Sequence, residues 1–443
     1  MHDLELQVLV EFRKGILSEQ YREHADVSSM PSNSSSKKGV LYLSYTGMLE
    51  PLGRSQVLSY LSRLGGEFTF TLLSFEKPGT MADTNANREL HAECVDLGIN
   101  WRPQMYHHRP RLMATVWDLM ILLWLSLRYS ARRDVQLVHC RSYIPAIGAW
   151  LCGKVTGKPF IFDMRALWPD EMVTAERLNE SSLTYRGLKW VERRLLRKAA
   201  SVVSLTQAAV DHLVEIYPEI PRDRYEVITT CVDVERFTGT RGDGSPRPLA
   251  ERSPFTVGTM GTLLSGWFYL DAFFSFFLAL KRHRADARAS IVTRDDHDQV
   301  LAAARAAGVN PADVDIASAT PDEMPIRLAK MDVGVMFYAP DIGRAPTRLG
   351  EFLAAGVPVV GNTGIGDLAR LIERYQVGVV VEDARAGEEL DAAARALLER
   401  YDGIVTSGVC RHAAEDYFSV EQGAKRYASI YRRLVSVDNG SDG

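Results

Sequence analysis

Twice along the chain, short runs of β-branched and aromatic residues alternate with helical segments, and each series opens on a strand that runs into a glycine-bearing loop. The first series starts at "GVLYLSY" from Gly39 and continues through "FTFTLLSF", "VQLVHC", "PFIFD" and "SVVSLT". The second restarts at "FTVGTMGTL" from Phe255 and continues through "ASIVT", "VDIAS", "VGVMFYA", "VPVVGNT" and "VGVVVED". Strands separated by helices return by crossovers rather than hairpins, which predicts parallel sheets covered on both faces. The expected fold class is therefore α/β, with two Rossmann-like domains facing across a cleft.

The boundaries follow from composition. Residues 1–38 read as an appendage, with a helix near Leu4–Tyr21 and the Ser-rich linker "SSMPSNSSSKKG". The first domain is expected over 39–240, a Gly-, Pro- and charge-rich linker over 241–254, and the second domain over 255–415. A terminal helix over 416–436 and a tail over 437–443 complete the chain. A net charge of −4 argues against a general nucleic-acid binder. Five scattered cysteines lack metal-ligand spacing and read as reduced thiols of a cytoplasmic protein. No N-terminal segment has the order of a secretory signal. The apolar run from Leu112 is broken by Asp118 and reads as a mostly buried helix, too short in its unbroken part to span a bilayer. A peripheral membrane contact is the alternative, favoured by the flanks His107, His108, Arg109, Arg111, Arg132 and Arg133.

In such sheets ligands gather at the carboxyl ends of the strands. The segments past those ends are Gly47–Arg54, His139–Arg141 and Asp163–Arg165 in the first series, and Gly261–Ser265, Ala339–Arg344 and Asn362–Gly366 in the second. Beside the last pair lies "RAPTRLGEFLAAGVPVVGNTGIGD", Arg344–Asp367. Pro346 opens a short helix, Leu349, Phe352 and Leu353 form its apolar face, and Gly356 and Pro358 stop it. Thr347 and Arg348 fall in the first turn, where open backbone N–H groups and a guanidinium suit a phosphate. Glu351 follows one turn later, placed to accept the two hydroxyls of a ribose. That pairing suggests a nucleoside diphosphate; a surface glutamate on an ordinary amphipathic helix is the plainer alternative.

"GMLEPLGRSQVLSYL", "VHCRS", "FDMRALWPDE" and "PTRLGEFLAAGVPVVGNTGIGD", occurring in this order, resemble the GT-B glycosyltransferases, specifically the retaining, nucleotide-sugar-dependent family 4 group, over roughly Gly39 to Val435. The resemblance implies a glycosyltransferase that moves a hexose from a UDP- or GDP-sugar to a hydroxyl of a cell-surface, lipid-linked or small-molecule acceptor. It implies no cofactor, no metal and no nucleic-acid partner. Carried over by position, Glu351 matches the second glutamate of the family's E-x7-E motif, and the Thr347 and Arg348 amides match those holding the diphosphate. Gly53 matches a glycine-rich turn near the donor phosphates. Gly261, Thr262, Gly343, Arg344 and Leu349 complete the implied donor set. Asp163, Arg165 and Arg348 take the catalytic positions, with Asp163 where many members keep a histidine. Glu50, His139, Glu171 and Asp341 are implied at the acceptor or sugar, His139 remaining open between that and a structural role.

The sequence departs from the family at two places. Gly343 stands where the first glutamate of E-x7-E belongs, which leaves Asp341 or a backbone N–H for the sugar hydroxyls. Ser265, Gly266 and Trp267 stand where a lysine–glycine pair is expected, so Arg348, Arg344 and, more remotely, Arg294 are the candidates to neutralise the leaving diphosphate. Two other functions remain compatible with this architecture. One is a non-catalytic GT-B protein that binds a glycan or partner; the other is a sugar-nucleotide 2-epimerase.

Overall fold

The computed structural model describes residues 37–107, 109–238 and 248–436. The expected appendage through residue 36, residue 108, linker residues 241–247 and the tail 437–443 lie outside the described residues.

The first sheet has seven strands: β1 (Lys38–Ser44), β2 (Phe68–Glu76), β3 (Ile99–Met105), β4 (Val135–Arg141), β5 (Phe160–Asp163), β6 (Ser201–Ser204) and β7 (Tyr225–Val227). Their order is β3-β2-β1-β4-β5-β6-β7, and every pairing is parallel. The second has six, β8 (Thr256–Met260), β9 (Arg288–Val292), β10 (Val314–Ala317), β11 (Val333–Met336), β12 (Val359–Asn362) and β13 (Gly378–Val381), ordered β10-β9-β8-β11-β12-β13 and also all parallel. Strand order reverses between β1 and β4 in one sheet and between β8 and β11 in the other. Those reversals open the crevices in which such sheets bind ligands.

Two edge strands escaped the sequence pattern. β3, "INWRPQM", alternates with polar residues and contains Pro103, which an edge strand tolerates because one side of it makes no ladder bonds. β7 has only three residues. The stretch after β1 also differs from expectation. Pro51 begins a helical path that continues through a π-turn at Arg54–Leu58 into α1 (Ser59–Leu64), so Gly53 lies inside a helical turn rather than in an open loop.

Each strand of the first sheet sends alternate side chains to opposite faces. Leu41, Leu43, Val138, Cys140 and Phe162 face one layer. Against it pack α2 (Arg111–Ser130) and α3 (Tyr143–Thr156), and beyond the short α4 (Trp168–Thr174) comes α5 (Leu183–Lys198). Val40, Tyr42, Leu137 and Ile161 face the other way, onto α1 and the last helix. Helix α6 (Gln207–Ile216) follows β6, and α7 (Thr347–Ala354) precedes β12. The last helix, α8 (Val420–Ser436), returns from the second half of the chain and buries Tyr427 and Tyr431 against the first sheet. The return is bonded at both sides: Val232 N–H donates to Phe418 O (2.7 Å), and Val420 N–H to Val232 O (3.0 Å).

Between the halves, Thr206 caps α6 by accepting from Ala209 N–H and donates its own hydroxyl to Ile342 O (2.7 Å). Asp367, after β12, adds its carboxylate to the same helix end, accepting from Gln207 N–H (2.6 Å) and Ala208 N–H (3.1 Å). A carboxylate at a helix N-terminus satisfies open donors and meets the positive end of the dipole. One domain's helix is thus capped by the other domain's side chain.

Candidate active site

The N-terminus of α7 meets the loop after β8 at the crevice of the second sheet. Arg348 donates through Nη1 to the Tyr338 hydroxyl (2.9 Å) and through Nη2 to Thr262 O (3.1 Å). Its guanidinium lies flat on Gly261, whose φ is +94°; a Cβ there would fall 2.2 Å from Nη2. Gly261 therefore serves both a left-handed turn and a close approach that only glycine permits. Two bonds and the Gly261 surface fix the guanidinium in place, leaving Nε as a further donor. Thr347 and Arg348 occupy the first turn of α7, where backbone N–H groups have no intrahelical acceptor. Leu349 points the other way, into the core.

Glu351 is half-buried one turn along, and burial raises its carboxyl to about 7, against the pull of Arg348 and Arg236. A carboxyl poised there gains from ligand hydroxyls or cations that return what solvation it has lost.

On the same side of the cleft, Asp341 organises the turn before α7. Its Oδ1 accepts from Gly343 N–H (3.0 Å) and its Oδ2 from Arg344 Nε (3.1 Å). The Arg344 guanidinium stacks on the Trp267 ring at 4.2 Å. Gly343 sits against the first domain, since a Cβ there would be 3.1 Å from Leu167 N. Glu171, on α4, faces this turn. Burial and the neighbouring Asp341 push its carboxyl up to about 7, with Arg344 opposing them. Trp168, Glu171 and Arg177 of the first domain and Ser265, Trp267 and Ala339 of the second line a cavity of about 530 Å³. The turn 341–344 and α4 thus bring Glu171, Asp341 and Arg344 together.

Other expected site residues lie elsewhere. Gly53 is buried, and a Cβ would be 2.2 Å from Gly47 O, so its glycine character serves helix-to-loop packing rather than a phosphate. Glu50 is engaged by Lys77 Nζ at 3.0 Å on the surface. His139 is 1% exposed, hydrogen-bonded through Nδ1 to the Tyr431 hydroxyl (2.6 Å) and stacked on Tyr42 at 4.3 Å. Burial lowers the pKa of its ring, against the pull of Asp163. That enclosure favours the structural alternative over sugar contact.

Asp163 is also enclosed. Register places Ser44, Arg141 and Asp163 side by side at the ends of β1, β4 and β5. The Tyr427 hydroxyl donates to Asp163 Oδ2 (3.1 Å), and Arg165 Nη1 lies 3.6 Å from Oδ1. Burial alone would raise this carboxyl, but Arg165, His139 and Arg141 outweigh it and hold it at about 2. Arg165 takes a positive φ of 61° to turn back onto Asp163, with a side chain 11% exposed. In this arrangement the Asp163 carboxylate is shut off from the cleft and acts through its neighbours.

Several organising residues lacked a signal in the sequence. Tyr338 and Asp367 act from single positions with no motif around them. Glu76, fully buried, accepts from Met48 N–H (2.8 Å), Leu49 N–H (3.1 Å) and the Ser74 hydroxyl, and so shapes the loop after β1. An acid closing the strand "FTFTLLSFE" was the only hint. Among the described residues no group of His, Cys, Asp or Glu is arranged to hold a metal ion.

Two all-parallel sheets facing a shared cleft, with an arginine-bearing helix N-terminus at one crevice, define the GT-B fold. Residues 56–231 match the glycosyl transferase 4-like domain, and the protein is a glycosyltransferase of that fold. Solved structures agree on the architecture. A glycosyltransferase from Rickettsia africae shares 16% identity at a TM-score of 0.65, over 90% of this chain and 99% of its own. Anabaena HepE, in complex with UDP and glucose, shares 14% at 0.62, over 89% and 99%. A UDP-N-acetylglucosamine 2-epimerase-like protein from Listeria monocytogenes shares 13% at 0.56, over 89% and 96%. No curated protein matches the sequence.

Proposed function

We propose that the protein transfers a hexose from a nucleoside diphosphate sugar, UDP-linked in preference to GDP-linked, to a hydroxyl acceptor with retention of anomeric configuration. The observation that carries this reading is the Arg348 guanidinium, fixed on Gly261 by Tyr338 and Thr262 at the N-terminus of α7, with Glu351 one turn beyond. HepE, of the same fold, is complexed with UDP and glucose, which favours uridine.

In the reaction the bond from anomeric carbon to diphosphate breaks as the acceptor oxygen bonds to the same face. The acceptor proton passes to the departing phosphate. Negative charge grows on that phosphate, where donors fixed in advance contribute most. The Thr347 and Arg348 amides and the Arg348 guanidinium supply those donors, and Glu351 receives the ribose hydroxyls. Glu171, Asp341 and Arg344 bind the sugar or acceptor in the cavity beside them. Asp163 and Arg165 position the loop that closes it. All five cysteines are free and buried, in keeping with a reducing, cytoplasmic setting.

The 2-epimerase reading shares the fold, and acceptor dependence separates the two. Thermal unfolding with a panel of nucleoside diphosphates and UDP- and GDP-sugars tests the donor site, since a ligand of the native state raises the midpoint by mass action. A rise with one base, abolished in Glu351→Ala, supports the assignment; no rise with any of them overturns it. Product formed from UDP-sugar without any acceptor, with inversion at C2, would move the protein to the epimerases.

A further inference from the structure

The sequence reads α2 as mostly buried, yet its outer face is apolar and open. Met113, Val116, Met120, Trp124 and Leu127 recur at three- and four-residue spacing and so form one stripe. Met113 is 71% exposed and Trp124 60%. The stripe continues onto the neighbouring helices with Leu151 and Val155 of α3 and Leu183 and Trp190 of α5. Among the described residues, nine of the sixteen exposed large apolar side chains lie on these three helices. Scattered exposure needs no explanation, but concentration on one layer marks an interaction surface. The layer is tied together: Cys152 Sγ bonds to Leu123 O (3.4 Å) across α2 and α3, and the Trp150 and Trp190 rings meet edge-on across α3 and α5.

The charge on this layer has one sign. Arg128, Lys154, Arg186, Arg194, Arg197 and Lys198 are exposed, whereas the acids of the three helices, Asp118 and Glu192, are fully buried. Asp118 is turned inward to His107 and Tyr45, and Glu192 to Tyr143 and Tyr217. Cations also sit on the aromatic rings: Arg128 over Trp124, Lys154 over Trp150 and Arg194 over Trp190. A basic face on a chain of net charge −4 is a local arrangement, not a consequence of composition.

We infer that the α2–α3–α5 face docks on an anionic phospholipid surface, with Met113, Met120, Trp124, Leu183 and Trp190 entering the interfacial layer and the flanking arginines and lysines meeting headgroup phosphates. Tryptophan and long basic side chains suit that boundary because each has an apolar body and a polar or charged end. A second copy of the same face is disfavoured, since cation would meet cation. No described helix is long and apolar enough to cross a membrane, so the contact is interfacial. Both α2 and α5 begin at the end of the sheet where the strands point, which sets Met113 and Leu183 on the side where the cleft opens. The docked enzyme then presents that cleft to a membrane-carried hydroxyl acceptor; this consequence alone rests on the transferase reading.

Co-sedimentation of the full chain with vesicles tests the docking. Binding is expected to vesicles of phosphatidylcholine with phosphatidylglycerol and not to phosphatidylcholine alone, weakening as salt screens the charge. The Met120→Glu/Trp124→Glu and Arg194→Glu/Arg197→Glu variants are each expected to lose binding by about tenfold or more. Circular dichroism and the nucleotide-induced rise in melting temperature report separately whether fold and donor site survive. Absence of binding by the native chain, or undiminished binding by both variants, overturns the inference. A dimer in light scattering that the first variant dissociates would assign the face to self-association instead. Loss of the nucleotide response with vesicle binding intact would strike the transferase reading and leave the docking face standing.

Discussion

At the end of the first sheet, His139, Arg141 and Asp163 lie beneath two tyrosines of α8 and are no more than 5% exposed. At the end of the second, Arg348 and Glu351 stay half-open beside the cleft. Both regions hold guanidinium and carboxylate groups at a strand-order reversal, but they satisfy them differently. In the first, buried charges are answered by Arg165, Asp163 and tyrosine hydroxyls from a helix more than 260 residues away in the chain. In the second, the guanidinium is anchored by a hydroxyl and a carbonyl, neither of which cancels its charge. A cation held rigid and only partly offset, by a carboxyl raised to about 7, suits an anionic ligand; a cation paired in the interior holds the fold together.

The sharpest way to break this contrast is Asp163→Ala. Removing the carboxylate leaves Arg165 and Arg141 buried without their counter-charge, and the protein is expected to lose about 3–5 kcal/mol of stability, read from denaturant unfolding. If stability were unchanged while turnover fell, Asp163 would belong to the reacting site after all. Arg348→Ala is expected to do the reverse. Turnover should drop about 10²–10³-fold, the scale of losing one fixed donor at a developing negative charge, with the unfolding midpoint nearly unmoved.

The smallest effect concerns pH. Glu351 has a carboxyl raised to about 7 by burial. The native state therefore retains a proton that the unfolded chain releases near its ordinary value, and stability falls as pH rises from that value through 7. Glu351→Gln should consequently gain about 1–2 kcal/mol over the native protein at pH 8 and nothing at pH 5, after allowance for its partial exposure. Nucleotide affinity in the native protein should climb over the same rise, because the ionised carboxylate is the better acceptor for two hydroxyls. Unfolding curves and nucleotide titrations at the two pH values check both.

Much of this was legible in one dimension. The strand–helix alternation marked both parallel sheets, since crossover connections leave a local pattern of apolar runs and helical spacing. The α7 site was equally legible, because Thr347, Arg348 and Glu351 lie within five residues and their geometry is that of one helical turn and a half. Gly53 was misread for the opposite reason: glycine permits a loop, a phosphate contact or close packing, and only Gly47 O, 2.2 Å from its absent Cβ, selects among them. β3 was hidden because an edge strand need not be apolar on both faces and can hold Pro103.

By itself, then, the sequence determined the class of fold, the family it resembles and the short helix that carries Thr347, Arg348 and Glu351, all of which depend on neighbours in the chain. Tertiary structure decided which charged residues face the cleft and which are sealed. His139 and Asp163 lie near the carboxyl ends of β4 and β5, where ligand-binding residues gather, yet α8 closes over them, and burial depends on what packs from afar. It decided too that the apolar face of α2 is open. Periodicity shows that a helix has an apolar side; whether protein, water or lipid meets that side depends on how many layers cover the sheet.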